Sequence, residues 1–191
     1  MTKSFNEYEK EIIRQKLLES CEESWGRYGY KKTNVAELCK MAGISTGAFY
    51  MFYESKEMLF IDVFNKVEES FNTSLEQLMP ENPTKYDFAR VFKTLFHELE
   101  KIPWFLNIHN DFDLLLRKFP PDYVTENFSH DITNISSIVE RYHFKPKISI
   151  ELITSMTYII LLSVQSRSLS DNHYSEAIDL MIDCVIEKYF E

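Results

Sequence analysis

The sequence predicts an all-α protein of about nine helices, three of them in an N-terminal part of residues 1–55 and the rest in a larger helical part of residues 56–191. Three observations predict the class. Pro and Gly are few, six and four in 191 residues, so little interrupts a helix. Apolar residues recur at three- and four-residue steps along most of the chain. Gly26, Gly29, Gly43 and Gly47 all lie in the first 47 residues, which leaves no Gly-rich phosphate loop further on. With 45% hydrophobic residues, the chain can build one sizeable core, or a small domain docked on a larger one.

The first helix is predicted over residues 6–28. Ile13, Leu17, Cys21, Trp25 and Tyr28 form one stripe, and Glu7, Lys10, Glu11, Arg14 and Glu22 form a solvated face. Gly29 ends it. Asn34 caps the second helix with Glu37 at capping-box spacing, and Val35, Leu38 and Ala42 share its inner face. Gly43 stops that helix by taking the left-handed conformation. Ser45 caps a very short third helix, residues 46–53. Ser55 caps the fourth, residues 56–78, whose stripe is Leu59, Val63, Val67, Phe71 and Leu75.

A proline-containing break at 79–84 follows, with Thr84 as the next cap. The fifth helix, 85–101, buries Phe88, Phe92, Leu95, Phe96 and Leu99. The sixth runs from near Pro103 to about residue 118. Pro121 suits the first turn of the seventh, which extends to about 142 and closes before Lys145-Pro146. The eighth, 148–167, is apolar nearly all round, so burial on every side is expected, centrally or by a second chain. The ninth, 174–189, carries Ala177, Ile178, Met181, Ile182, Val185 and Ile186.

Two helices joined by a glycine turn suggest nucleic-acid chemistry, because a helix-turn-helix lays its second helix in the major groove. That helix offers Thr46, Gly47, Ala48, Tyr50 and Met51 and no acidic residue. Thr can bond a base edge, small residues permit close approach, and a Tyr hydroxyl reaches phosphate. Lys56, in the first turn of the fourth helix, is locally unfavourable against the helix dipole. A phosphate held by its ammonium and the free N–H groups would remove that cost.

The run from Leu17 to Leu59 resembles the N-terminal domain of the tetracycline-repressor (TetR) family of bacterial transcription regulators. The matching residues are Leu17-Leu18, Trp25, Gly29, Thr33, Val35, Glu37-Leu38, Ala42-Gly43-Ile44-Ser45, Gly47-Ala48-Phe49-Tyr50, Ser55-Lys56-Glu57 and Leu59. The resemblance covers about a quarter of the chain. It implies a DNA-binding set of Thr33, Asn34, Ser45, Thr46, Gly47, Ala48, Tyr50, Met51 and Lys56. Thr33, Tyr50 and Lys56 would lie at phosphates, and Ser45, Thr46, Gly47, Ala48 and Met51 at bases or along the groove. Phe49 and Tyr53 read as core. Phe52 stands where the family often has His, and Ala48 where Thr is common, so base readout by hydrogen bonds is thin and DNA shape contributes. The resemblance further implies that residues 1–55 are an N-terminal three-helix helix-turn-helix DNA-binding domain and residues 56–191 a C-terminal helical ligand-binding and dimerisation domain, with a homodimer through the last two helices, a double-stranded DNA operator and a small-molecule effector.

Charge is unevenly placed. The net charge is −9, yet residues 1–56 hold nine basic and eight acidic residues, which leaves −10 on the remainder. Repulsion from that acidic mass weakens beyond a Debye length of about 8–10 Å. The three cysteines, Cys21, Cys39 and Cys184, are widely spaced and predict small buried thiols in a reduced, cytoplasmic protein. No basic-then-apolar leader predicts secretion. Glu151, Thr154, Ser155 and Thr157 interrupt the most apolar stretch, so no membrane span is expected.

The middle of the chain is rich in aromatics. Core packing is one reading of them. The other is a ligand cavity lined by Phe92, Phe96, Trp104, Phe112, Tyr123 and Tyr158, with His109 and Gln165 as polar groups, joined by His97, Asn110 and Asp113. Asp111 and Asp113 beside aromatics suit a cationic effector, and the ring set suits a hydrophobic or aromatic one. No histidine pair has metal-ligand spacing and no nucleophile motif occurs, so no metal, cofactor or catalytic set is expected. A small helical enzyme and a helical interaction module without DNA binding remain alternatives.

Overall fold

The computed structural model describes residues 5–164 and 173–191, without the side chains of 107–110, 112 and 113. Its helices are α1 (Glu7–Tyr28), α2 (Val35–Ala42), α3 (Thr46–Phe49), α4 (Lys56–Leu78), α5 (Lys85–Leu99), α6 (Pro103–Leu116), α7 (Tyr123–Arg141), α8 (Ile150–Leu162) and α9 (Tyr174–Tyr189). The fold is all-helical, and no described helix is long and apolar enough to cross a membrane. Capping explains many of the boundaries. Asn6 and Thr84 each form a complete capping box, with Glu9 and Asp87 respectively. Asn34, Ser45 and Ser149 each accept the backbone N–H three residues on. The third helix is shorter than the predicted 46–53, because the chain passes into turns at residues 50–52.

The chain divides into two compact units, residues 1–69 with 102–119 and residues 70–101 with 120–191. The first unit therefore reaches past the expected boundary at residue 55. It includes the start of α4 and all of α6, because α6 supplies core to α1. Trp104 stacks on Trp25 at 4.4 Å, and Phe60 and Phe64 close around Trp25 at 4.5 and 5.2 Å. Gly26 is where the two helices approach: a Cβ there would lie 3.0 Å from Pro103 Cβ. The buried face of α1 is Ile13, Leu17, Leu18, Ser20, Cys21, Ser24 and Trp25. Tyr28, predicted in that stripe, is instead 47% exposed. It lies on the last turn, where its ring packs under the Arg27 guanidinium at 5.1 Å.

In the second unit Leu75, Met79, Val91 and Leu95 form a core, with Phe71, Phe88, Ile138, Tyr142 and Phe144 packed on it. The C-terminus is pinned there. The Lys147 N–H donates to the Tyr189 carbonyl at 2.7 Å, and Phe144 stacks on Phe190 at 4.8 Å. Of the two ways expected for burial of the eighth helix, centrally or by a second chain, central burial within this chain does not hold. Ile153, Thr154 and Ile160 are buried, but Leu152 is 48% and Ile159 66% exposed. The hydroxyls of Thr154, Ser155 and Thr157 donate to carbonyls four residues back, so they add no polar face of their own. Cys21 and Cys39 are buried as expected, and burial pushes the Cys21 thiol well up. Cys184 is exposed.

An antiparallel ladder of ion pairs lines the seam between α5 and α9: Lys85–Glu187, Lys93–Asp183 and His97–Asp179. His97 also meets Glu100 at 2.7 Å through Nδ1. His97 therefore belongs to this seam and not to the cavity expected from the sequence. Burial lowers its proton affinity, but hydrogen bonds to Glu100 and Asp179 outweigh that and raise it above 6.5. A raised folded-state value means the stabilisation is complete below about pH 6.5 and fades as pH rises through the folded-state value. Urea unfolding across pH 5–9 should show this loss, and His97→Gln should flatten it. An unchanged slope in the variant would remove His97 as its source.

Candidate nucleic-acid interface

The helix-turn-helix is built from short elements with few alternatives. Leu38, Cys39 and Ala42 bury the inner face of α2. Gly43 has φ 76, in the left-handed region, and the Ile44 N–H returns to the Cys39 carbonyl at 2.9 Å. Phe49 is fully buried and Tyr53 nearly so, their rings 5.8 Å apart. These two side chains anchor α3 from below, as the sequence predicts for them. The opposite face carries Thr46, Gly47, Tyr50 and Met51, all exposed. Tyr50 is 60% and Met51 50% exposed. Ser45 and Asn34 are also exposed, with one side-chain oxygen of each holding a helix cap. Ala48 is half-buried.

Two expected phosphate contacts are placed differently. Thr33 is buried, and its hydroxyl donates to the Gly29 carbonyl at 3.0 Å. The Lys56 ammonium donates to the carbonyls of Tyr30 and Thr33 at 2.9 and 3.0 Å and lies 3.7 Å from the centre of the Tyr30 ring. Burial lowers its proton affinity. The first-turn lysine thus satisfies backbone acceptors of the turn after α1. No anion is needed to explain it. Tyr30 donates its hydroxyl to Glu57, and burial followed by that contact pushes the Tyr30 phenol up. Burial raises the proton affinity of Glu57, but the hydrogen bonds from Tyr30, its own backbone N–H and Ser55, with the Lys56 charge, together outweigh it and hold the carboxyl low.

Asp111 on α6 completes this clamp. It is 6% exposed, and one carboxylate oxygen accepts the Trp25 indole N–H at 3.0 Å and the Tyr30 backbone N–H at 2.7 Å. A Cβ at Gly29, where φ is 78, would lie 3.3 Å from that oxygen. The expectation that Asp111 faces a cationic effector is therefore corrected: its partners belong to the end of α1. Lys31 and Lys32, exposed just before the α2 cap, are absent from the expected DNA-binding set. Their signal in the sequence is two adjacent cations between the first and second helices.

The expected effector residues are dispersed. Trp104 belongs to the first unit's core, stacked on Trp25. Phe92 and Phe96 are buried in the second unit, with Phe92 against Phe71 and Phe88 at 6.0 and 6.2 Å. Tyr123 starts α7 and is half-buried. Tyr158 stacks on Phe128 at 5.8 Å and donates to Asp131. The side chains of His109 and Phe112, and Gln165, lie outside the described residues. A cleft of about 430 Å³ on the first unit is lined by residues of α1 and α2, among them Glu23, Arg27, Tyr28 and Met41, and by none of this set.

Residues 17–63 match the model of the bacterial regulatory proteins of the tetR family. Over 90 residues the chain is 31% identical to the uncharacterized HTH-type transcriptional regulator YhgD of Bacillus subtilis (strain 168), covering 47% of this chain and 46% of that protein. The chain spans about half the length of the curated relatives it matches. Among solved structures, SmeT, the repressor of the Stenotrophomonas maltophilia multidrug efflux pump SmeDEF, aligns with a TM-score of 0.66 at 16% identity, over 93% of this chain and 90% of that one. RolR in complex with resorcinol aligns with a TM-score of 0.60 at 19% identity, over 94% and 90%. At these identities the likeness establishes the fold.

Replacing Asp111 with Ala strands two buried donors, at about 1–3 kcal/mol each. Chemical denaturation of Asp111→Ala should show a loss on the order of 3 kcal/mol. A change within about 0.5 kcal/mol, the range of ordinary surface substitutions, would show that the clamp does not matter.

Proposed function

Because the chain belongs to the TetR family of bacterial regulatory proteins, we propose that it is a cytoplasmic transcriptional repressor. It binds a near-palindromic operator as a homodimer and is released by a small molecule. The observation that carries this is the outward surface of α3 and of the turn after it: Thr46, Gly47, Tyr50 and Met51 stand exposed there, and Phe49 and Tyr53 lock the segment from below. A helix held this way can enter a major groove without rearranging. Asn34, Ser45 and Ala48 flank it, and Tyr50 supplies a hydroxyl for phosphate. Lys31 and Lys32 take the electrostatic role first expected of Thr33 and Lys56.

The dimer reading is supported by an apolar face left open on the second unit. Leu152, Ile159 and Leu180 are 48%, 66% and 63% exposed, and Ala177 and Cys184 extend the α9 stripe at helical spacing. A monomer rarely leaves such a run of large apolar side chains in water. Two copies facing one another through α8 and α9 would cover it and set two recognition helices about 34 Å apart, one turn of DNA.

An effector that favours a different spacing lowers DNA affinity, and DNA lowers effector affinity by the same factor. Phe92, Phe96, Tyr123 and Tyr158 of the second unit are the side chains we assign to it, and an aromatic or hydrophobic molecule suits them. The resorcinol bound by RolR supports that choice. The relatives and structural neighbours are regulators, which supports a non-enzymatic role.

Binding the full chain to a randomised duplex library and sequencing the retained DNA tests the reading. A palindromic consensus is expected, and retention of no DNA would end the proposal. Lys31→Ala and Lys32→Ala should each lessen the dependence of log affinity on log salt by about one. Lys56→Ala should instead lower unfolding stability, since two carbonyls lose their donor. An unchanged salt slope in both Lys31 and Lys32 variants would clear them of phosphate contact. Ile159→Glu combined with Leu180→Glu should sediment as a monomer and bind DNA weakly. A wild-type dimer in that variant would place the interface elsewhere.

A further inference from the structure

The side chains on the outward face of α3 lack the groups that read purines. Arg and Lys recognise guanine, and Asn and Gln recognise adenine, each by paired hydrogen bonds in the major groove. None of the four lies between Ser45 and Tyr53. What stands outward is a γ-methyl with a hydroxyl at Thr46, a bare backbone at Gly47, a phenol at Tyr50 and a flexible thioether ending in a methyl at Met51. Of the four DNA bases, only thymine displays a methyl in the major groove, and apolar side chains recognise it by contact.

Two further observations point outward, toward something close and apolar. Met51 is half exposed although it adjoins a core that holds Phe49 and Tyr53. Gly47 lies within α3, where Gly is disfavoured by about 1 kcal/mol relative to Ala. Nothing in the protein requires it. Its φ is not in the left-handed region, and a Cβ there would meet no atom nearer than Ser45 Oγ at 4.0 Å. A residue that the fold does not need, exposed beside Thr46 and just ahead of the turn that exposes Met51, leaves room for a groove wall to come close.

We propose that Thr46 and Met51 read the 5-methyl groups of thymines in the operator, with Gly47 allowing the approach. This rests on the DNA-binding reading above and specifies its chemistry: each half-site presents methyl-bearing pyrimidines to α3, and specificity comes from methyl contact in place of paired hydrogen bonds.

The test uses the full chain and the strongest duplex retained from the randomised library. Each thymine is replaced in turn by deoxyuridine, which deletes the methyl and keeps every hydrogen-bonding group. Affinity is read by fluorescence anisotropy at one salt concentration. Removing a contacted methyl should weaken binding about fourfold, as expected for one buried methyl-sized group. Met51→Ala should bind thymine and deoxyuridine duplexes equally at one of these positions, and Thr46→Ser should do so at another. Restoring a methyl with 5-methylcytosine, paired to guanine, at a sensitive position should regain part of the affinity.

Tight binding with no deoxyuridine effect at any position would overturn methyl reading while leaving DNA binding intact. Retained DNA without any sequence preference would overturn it equally. Retention of no DNA would instead remove the reading on which the inference rests. The two failures can therefore be told apart.

Discussion

One buried carboxylate holds the amino-terminal unit in shape. Asp111 accepts the indole N–H of Trp25 and the backbone N–H of Tyr30, which fixes the turn that leaves α1. Lys56 binds the carbonyls of the same turn, at Tyr30 and Thr33. Donors and acceptors of one short stretch are thus met from two helices far apart in sequence. The Tyr30 ring packs on Phe60 at 5.1 Å and its hydroxyl reaches Glu57, so the start of α4 is tied to the same point. Burying a carboxylate is costly unless hydrogen bonds compensate it. Here they do, and the compensation sets the direction in which α2 begins.

With the turn held, the recognition helix needs little of its own. Four residues of regular helix suffice because Phe49 and Tyr53 seat it and Ser45 and Gly43 define its entry. Its outward face is small and nearly uncharged, which fits a domain whose basic and acidic residues almost cancel. On the proposed DNA-binding reading, counterion release at phosphates would be modest, and discrimination would depend on contact surface and DNA shape. On the same reading, an uncharged face would spare the protein the desolvation that paired charges require in the groove.

The second unit follows another logic. Its α5–α9 seam is lined by ion pairs at helical spacing, which fix the register of two helices whose apolar residues would tolerate a slip. Its α8 and α9 leave an apolar stripe uncovered, so the hydrophobic surplus visible in the sequence is not all absorbed within this chain. The histidine in the seam holds its proton more tightly than an ordinary imidazole, and that gives this seam a pH dependence.

Local signals in the sequence were enough for most elements. Caps at Asn34, Ser45, Ser55 and Thr84, the stop at Gly43 and the stripes of α4 and α5 depend on neighbours within a turn, so they are legible without a fold. So was the helix-turn-helix itself, because its residues sit in one contiguous window that the tetR family model also spans. Partners distant in sequence decided the rest. Lys56 looks free to meet a phosphate until Tyr30 and Thr33 are brought beneath it. Asp111 looks like a surface or effector acid until α6 packs on α1. Trp104 looks like a cavity wall until it stacks on Trp25, and α8, apolar nearly all round, turns two side chains to solvent where central burial was one expectation. Periodicity and capping are short-range and are written into the chain in order. The assignment of a charge or a ring to one neighbour among many is made only when distant segments meet.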